Sequence, residues 1–240
     1  MTYLAKVLKE NRAAQLAEIA IVFLLSFAVI FVGWNLVGSD LFARQAIVWF
    51  ANLLMLVTVW LGLRVRGQTW SHFGFRCTPH GFRSLCRRVV LSIVVLACAL
   101  AAFVAGSVVM AGVTPAAQSA DMSGYNYLQG NLPMLLAALA GVYVVSSFGE
   151  EVIYRGFLIN RLAEIGHGRK KAWRIAVVTG AVIFGLVHFS WGITGVVQTA
   201  FMGLALGIAY LLTQRDLWVL VLAHACIDTL LLVQLYGAGS

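Results

Sequence analysis

Seven apolar runs divide this chain, at roughly 16–37, 46–63, 89–113, 132–160, 174–192, 195–213 and 217–236. Each can cross a hydrocarbon core of about 30 Å as a tilted helix rising about 1.5 Å per residue. Charged residues make up only 11% of the 240 residues and hydrophobic ones 61%. A soluble domain carries about 25% charged residues, and a water-soluble chain of this size could not hide so much apolar surface. The first run, from Leu16 to about Val37, follows Lys6, Lys9 and Arg12. It is longer than the core of a signal peptide and is read as a retained span.

Charge tests the count. The formal net charge of +8 would suggest nucleic acid in a soluble protein, but cytoplasmic loops of membrane proteins carry the same excess of Lys and Arg. With the N-terminus inside, the inner segments hold Lys6, Lys9 and Arg12; Arg64, Arg66, Arg76, Arg83, Arg87 and Arg88; Arg155, Arg161, Arg169, Lys170, Lys171 and Arg174; and Arg215. Of the 17 basic residues only Arg44 falls outside. A wrong count would scramble that asymmetry. The expected fold is therefore an all-α polytopic transmembrane bundle of about seven spans, N-terminus cytoplasmic and C-terminus outside, forming one integral membrane domain over 1–240. No internal repeat, low-complexity tract or soluble domain interrupts it.

The inner loop from Arg64 to Arg88 interleaves six arginines with Trp70, Phe73, Phe75 and Phe82. Such a pattern can bind single strands, but beside apolar spans it reads as an interfacial segment on anionic lipid. Membrane lipid is thus an expected partner and nucleic acid is not. The outer loop from Thr114 to Asn131, with Tyr125 and Tyr127, reads as a rim. Cys77, Cys86, Cys98 and Cys226 form neither a disulfide framework nor a metal knuckle, and are read as structural.

Ionisable groups inside a span are costly and default to function. Glu18, near the inner end of the first run, reads as interfacial. The rest gather in three late runs. In Glu150-Glu151-Val152-Ile153-Tyr154-Arg155 the helical spacing pairs Glu151 with Arg155 at i and i+4. Glu150 points about 100° away and has no cation at that spacing, a setting in which a carboxylate can serve as a general base near neutral pH. The fifth run carries Phe184 and His188; the seventh carries His224 and Asp228, again i and i+4. Counted inward at about 1.5 Å per residue, Glu150 lies about 16 Å deep, His188 about 21 Å, and His224 and Asp228 about 13 and 19 Å. All four land mid-membrane, which argues for one site. Gly203 and Gly207 in the sixth run make a small-residue face suited to close helix packing.

At these positions the chain resembles the CPBP intramembrane proteases, the family of CAAX prenyl endopeptidases and bacterial Abi and bacteriocin-processing relatives. Its pattern is Glu-Glu-x-x-x-Arg, Phe-x-x-x-His and His-x-x-x-Asn/Asp, matched in order by Glu150-Glu151 with Arg155, by Phe184 with His188, and by His224 with Asp228. The resemblance covers about the last 110 residues and implies a catalytic core at about 132–236. It implies an endopeptidase acting through activated water, in a cavity open to the cytosolic side of a bacterial inner membrane, on a membrane-tethered peptide or protein. Glu150 and His188 would hold and deprotonate the water, and His224 with Asp228 would stabilise the oxyanion. Glu151 and Arg155 would brace the cavity. The family has been described both as metal-dependent and as metal-free glutamic proteases. The cofactor is therefore either none or a divalent metal such as zinc, with Glu150, His188, His224 and Asp228 as candidate ligands; no His-Glu-x-x-His is present. Asp228 stands where the eukaryotic prenyl proteases have Asn. An ionised Asp cannot donate to an oxyanion, and orienting His224 is its expected role. Two other readings compete: a proton-coupled transporter, whose relay would need polar groups reaching the outer face, and a non-catalytic scaffold, which should have lost one of the six groups.

Overall fold

The computed structural model describes residues 3–75, 81–113 and 120–238. Arg76 and Cys77 of the basic loop and positions 114–119 of the outer loop lie outside the described residues. The short α1 (Tyr3–Glu10) precedes α2 (Arg12–Val37), α3 (Leu41–Arg66) and α4 (Phe82–Val113). α5 (Leu132–Val142) runs on without a break through a π-helical segment, Tyr143–Ile159, into α6 (Asn160–Ile165). Then come α7 (Lys170–Leu186), α8 (Gly192–Leu212) and α9 (Leu217–Gly237). No strand occurs among the described residues.

Polar residues between the apolar runs set where the helices begin. Asn11 Oδ1 accepts from the backbone N–H of Ala13 at 2.8 Å, Asp40 from Ala43 at 2.9 Å, Asn131 from Met134 at 3.3 Å and Asp216 from Trp218 at 3.2 Å. Each meets N–H groups left over by a first turn. Among the described residues six helical stretches are long and apolar enough to cross a membrane: α2, α3, α4, the continuous Leu132–Ile165, Phe189–Leu212 and α9. The remaining expected span is α7, whose 17 residues rise only about 26 Å. Exposed apolar side chains such as Leu24, Phe27 and Phe31 on α2 and Val90, Ile93 and Val94 on α4 cover the outside of the bundle, as an integral membrane protein requires.

α7 and α8 lie against one another through small residues. A Cβ on Gly185 would come within 2.6 Å of the Val196 carbonyl oxygen, and one on Gly203 within 2.9 Å of the Phe184 ring. The glycine face thus packs helix on helix, as expected from the sequence. α9, α3 and α7 surround the π-helical segment, twelve of whose residues are buried. This wall-to-wall burial is what holds the polar middle of the chain away from lipid.

The basic loop departs from a surface-lying segment. Phe73 is fully buried, and Phe75 packs on Phe148 and Trp218 with ring centres 5.2 and 5.1 Å away. Arg66 turns inward and forms a buried ion pair with Glu18. Phe82 and Leu85 at the start of α4 stay exposed. Cys86, Cys98 and Cys226 are free and exposed on their helices.

Candidate active site

Arg155 Nη1 donates to Glu151 Oε1 at 2.9 Å, the i,i+4 pair the spacing predicts, with Glu151 fully buried. The segment around it is π-helical, with about 4.4 residues per turn rather than 3.6, so successive side chains diverge by less than 100°. That wider turn lets Glu150 and Glu151 both reach the face of α9. His224 Nδ1 lies 2.8 Å from the same Glu151 oxygen, and its Nε2 lies 4.0 Å from Glu150 Oε2 and 3.7 Å from Asp228 Oδ1. One imidazole therefore meets three carboxylates, two from the π-helical segment and one from its own helix.

The hydrogen bonding fixes the imidazole's roles. Glu151 is shared between the Arg155 guanidinium and His224 Nδ1, an arrangement that favours an ionised carboxylate accepting from Nδ1–H. Nε2 is then the atom turned to Glu150 and Asp228. Glu151 is the carboxylate bonded to His224 Nδ1, and Asp228 lies 3.7 Å from Nε2. Asp228 Oδ2 instead accepts from Ser147 at 2.7 Å.

Phe184 joins the two histidines. Its ring carries the Arg155 guanidinium over one face at 4.3 Å and meets Tyr154, His188 and His224 at 5.0, 4.9 and 6.3 Å. His188 lies just past the end of α7 rather than within a continuing helix, at the entry to a 3₁₀ turn, Phe189–Trp191. Its Nδ1 is 2.7 Å from the Phe184 carbonyl oxygen. A carbonyl accepts only, so Nδ1 carries the proton and Nε2 is the free lone pair. Glu150 Oε2 and Glu151 Oε2 are buried and have no hydrogen-bond partner among the described residues.

Three contributors escape a reading by ionisable residues. Ser147 is one; its hydroxyl in an otherwise apolar run was the available signal. The others are Trp191, in the 3₁₀ turn after His188, and Tyr125, in the Thr114–Asn131 loop. Trp191 stacks edge-on against His188 at 4.8 Å, Tyr125 meets Trp191 at 6.2 Å, and the Trp191 carbonyl accepts from Asp121 N–H at 3.0 Å. Burial pushes the Tyr125 phenol up, and the negative fields of Tyr127, Asp228 and Glu150 push it the same way. The rim tyrosine thus lies within electrostatic reach of both carboxylates.

No three His, Cys, Asp or Glu side chains among the described residues converge as a metal-ligand set. His224 Nδ1 is committed to Glu151, and the gaps of 4.0 and 3.7 Å around Nε2 exceed the spacing of about 3.3 Å between ligands on one tetrahedral zinc, given bonds of about 2.0 Å. As arranged, these residues do not fit a zinc site.

No curated protein and no solved structure matches the chain. A family model does: residues 132–230, which contain Glu150, Glu151, Arg155, His188, His224 and Asp228, match that of the type II CAAX prenyl endopeptidase Rce1-like family. Over these residues the chain is similar to that family of prenyl endopeptidases.

Proposed function

We propose that the chain hydrolyses a peptide bond of a membrane-associated substrate through a water activated by Glu150. The observation that carries this reading is the double use of Glu151: bonded at once to Arg155 and His224 Nδ1, it leaves His224 Nε2 and Glu150 facing one another across 4.0 Å. That gap suits an oxygen atom bonded to both, since hydrogen bonds run about 2.8 Å.

Glu150 takes a proton from the water, whose oxygen attacks the scissile carbonyl carbon. His188, with Nδ1–H committed to Phe184, offers Nε2 as a second acceptor to the same water. Negative charge develops on the carbonyl oxygen, where His224, protonated on both ring nitrogens, stabilises it through Nε2–H; Glu151 holds Nδ1–H and Arg155 holds Glu151. The proton held by Glu150 then passes to the leaving nitrogen as the C–N bond breaks. Asp228 acts on His224 from the ring's other side and is itself held by Ser147.

The substrate is a membrane-tethered peptide or protein. In this reading residues 1–240 form one domain with its core at about 132–236, in a bacterial inner membrane, N-terminus and active-site opening on the cytoplasmic side. The test is cleavage of membrane-tethered peptides by the purified protein. Glu150→Gln and His188→Ala are expected to lower the rate by about 10²–10⁴-fold, and wild-type cleavage is expected to persist with a zinc chelator. Full activity in Glu150→Gln would overturn the base assignment; loss with chelator and recovery with zinc would make Glu150, His188, His224 and Asp228 a ligand set.

A further inference from the structure

A developing oxyanion accepts from more than one donor, and the groups around His224 Nε2 are acceptors. Asp228 Oδ2 accepts from Ser147 at 2.7 Å, its Oδ1 faces Nε2 at 3.7 Å, and Glu150 Oε2 faces Nε2 at 4.0 Å. An ionised carboxylate accepts and does not donate. The proton of His188 is spent as well, on the Phe184 carbonyl oxygen 2.7 Å from Nδ1. A second donor has to come from another part of the chain.

Tyr125 is held in place to supply it. The residue lies in a 3₁₀ turn, Ser123–Leu128, that is fastened at both ends. Before the turn, Asp121 N–H donates to the Trp191 carbonyl at 3.0 Å, and Asp121 Oδ1 accepts from Ser123 N–H at 2.9 Å. At its far end Leu128 is fully buried among Leu135, Ala138 and Leu232, and Gly130 N–H donates to the Tyr236 carbonyl at 3.1 Å. Between these anchors the Tyr125 ring meets Trp191 edge-on at 6.2 Å, and Trp191 meets His188 at 4.8 Å. The aromatic contacts thus lead from the turn directly to a site histidine.

The chemistry of the pair directs the phenol's proton. An indole nitrogen only donates, so the bond between the Trp191 and Tyr125 side chains uses the phenol oxygen as acceptor. The O–H is left for another partner. Besides Tyr127 in its own turn, the charges that reach the phenol are those of Asp228 and Glu150, the same two carboxylates that His224 Nε2 faces.

We propose that Tyr125 is a catalytic residue of this site, donating its phenolic O–H to the oxyanion alongside His224 Nε2–H. The assignment rests on the hydrolysis proposed above. The phenol gives a hydrogen bond and keeps its proton; the proton that reaches the leaving nitrogen is the one held by Glu150. Burial raises the phenol above its ordinary value, so it stays protonated, and a donor, at the near-neutral pH where Glu150 works.

The test uses the purified full chain in detergent and the membrane-tethered peptide that it cleaves fastest. A second probe is the same peptide with a phosphinate in place of the scissile amide, an uncleavable mimic of the tetrahedral anion. Tyr125→Phe keeps the ring and removes the hydroxyl. Tyr127→Phe, in the same turn but packed on Phe42 at 5.9 Å, is the control. Tyr125→Phe is expected to lower kcat about 10²–10³-fold, the effect of one oxyanion donor, with KM and the unfolding midpoint unchanged. Its affinity for the phosphinate should fall at least about tenfold, and Tyr127→Phe should alter neither quantity. Should Tyr125→Phe not fold, a ring-fluorinated tyrosine replacing Tyr125 keeps the packing and makes the phenol a stronger acid. The alkaline fall in kcat should then move to lower pH, whereas a phenol that only packs leaves the profile where it was. Full kcat and phosphinate affinity in Tyr125→Phe, or an unmoved pH profile, overturns the assignment and leaves the proposed hydrolysis standing. Absence of cleavage of any tethered peptide by the wild type overturns both.

Discussion

Glu151 ties two helices together at a single oxygen, whereas the buried Oε2 of its neighbour Glu150 has no hydrogen-bond partner among the described residues. Their adjacent carboxylates should therefore answer mutation in opposite ways. Removing one member of a buried charge pair costs about 3–5 kcal/mol, and Glu151→Gln takes the bonded carboxylate from Arg155 and from His224 Nδ1 at once. A loss of stability on that scale is expected in denaturant unfolding in detergent, together with loss of cleavage. Glu150→Gln should change stability by less than about 1 kcal/mol while abolishing cleavage. Equal destabilisation by the two would mean that Glu150 is structural. Ser147→Ala removes a bond to an anionic oxygen, worth about 1.5 kcal/mol at most for this partly exposed pair. Because Glu151 holds His224, cleavage should fall less than tenfold; a collapse of activity would make Asp228 the residue that orients the ring.

At the scale of elements, the site depends on α7 and α8 lying close enough for Phe184 and His188 to reach α9's histidine. Gly185 is the tightest point of that packing on the α7 side, with the Val196 backbone oxygen 2.6 Å from where a Cβ would sit. Backbone cannot move aside as a side chain can, so Gly185→Ala should cost about 1–3 kcal/mol. Gly207→Ala meets side-chain atoms, Val177 Cγ1 at 3.0 Å and Ile159 Cδ1 at 3.5 Å, which can shift, and should cost less than about 1 kcal/mol. Unfolding midpoints of the two variants, measured side by side, check the difference; equal costs would argue that α7 and α8 adjust as rigid bodies. The π-helical segment is a second such device. It widens the turn carrying two carboxylates, a feature that occurs mostly at functional sites.

For the whole molecule, the ends of α1, α3, α6 and α7 and the α8–α9 turn meet at one end of the bundle, as the cavity they share requires. The charge asymmetry predicts that this end faces the cytoplasm. In a background with the native cysteines replaced by serine, Lys6→Cys and Lys171→Cys should react with an impermeant maleimide only in opened or inverted membranes, and Ser39→Cys on intact cells. All three positions are exposed. Reaction of Lys6→Cys on intact cells would invert the topology.

The apolar runs by themselves determined the helical class and the membrane setting, because 61% hydrophobic content at bilayer-length spacing leaves no other way to satisfy both backbone and side chains. The Glu151–Arg155 contact was equally legible, since an i,i+4 pair follows from one helix's own geometry. What the sequence could not carry is every contact between helices. That Glu151 bonds His224, that Glu18 pairs with Arg66 and Arg161, and that Phe73 and Arg215 fold into the bundle all depend on the relative rotation of helices distant in the chain. Hydropathy leaves that rotation open. It is fixed only when small residues such as Gly185 and Gly203 let neighbouring helices approach and buried charges find their partners.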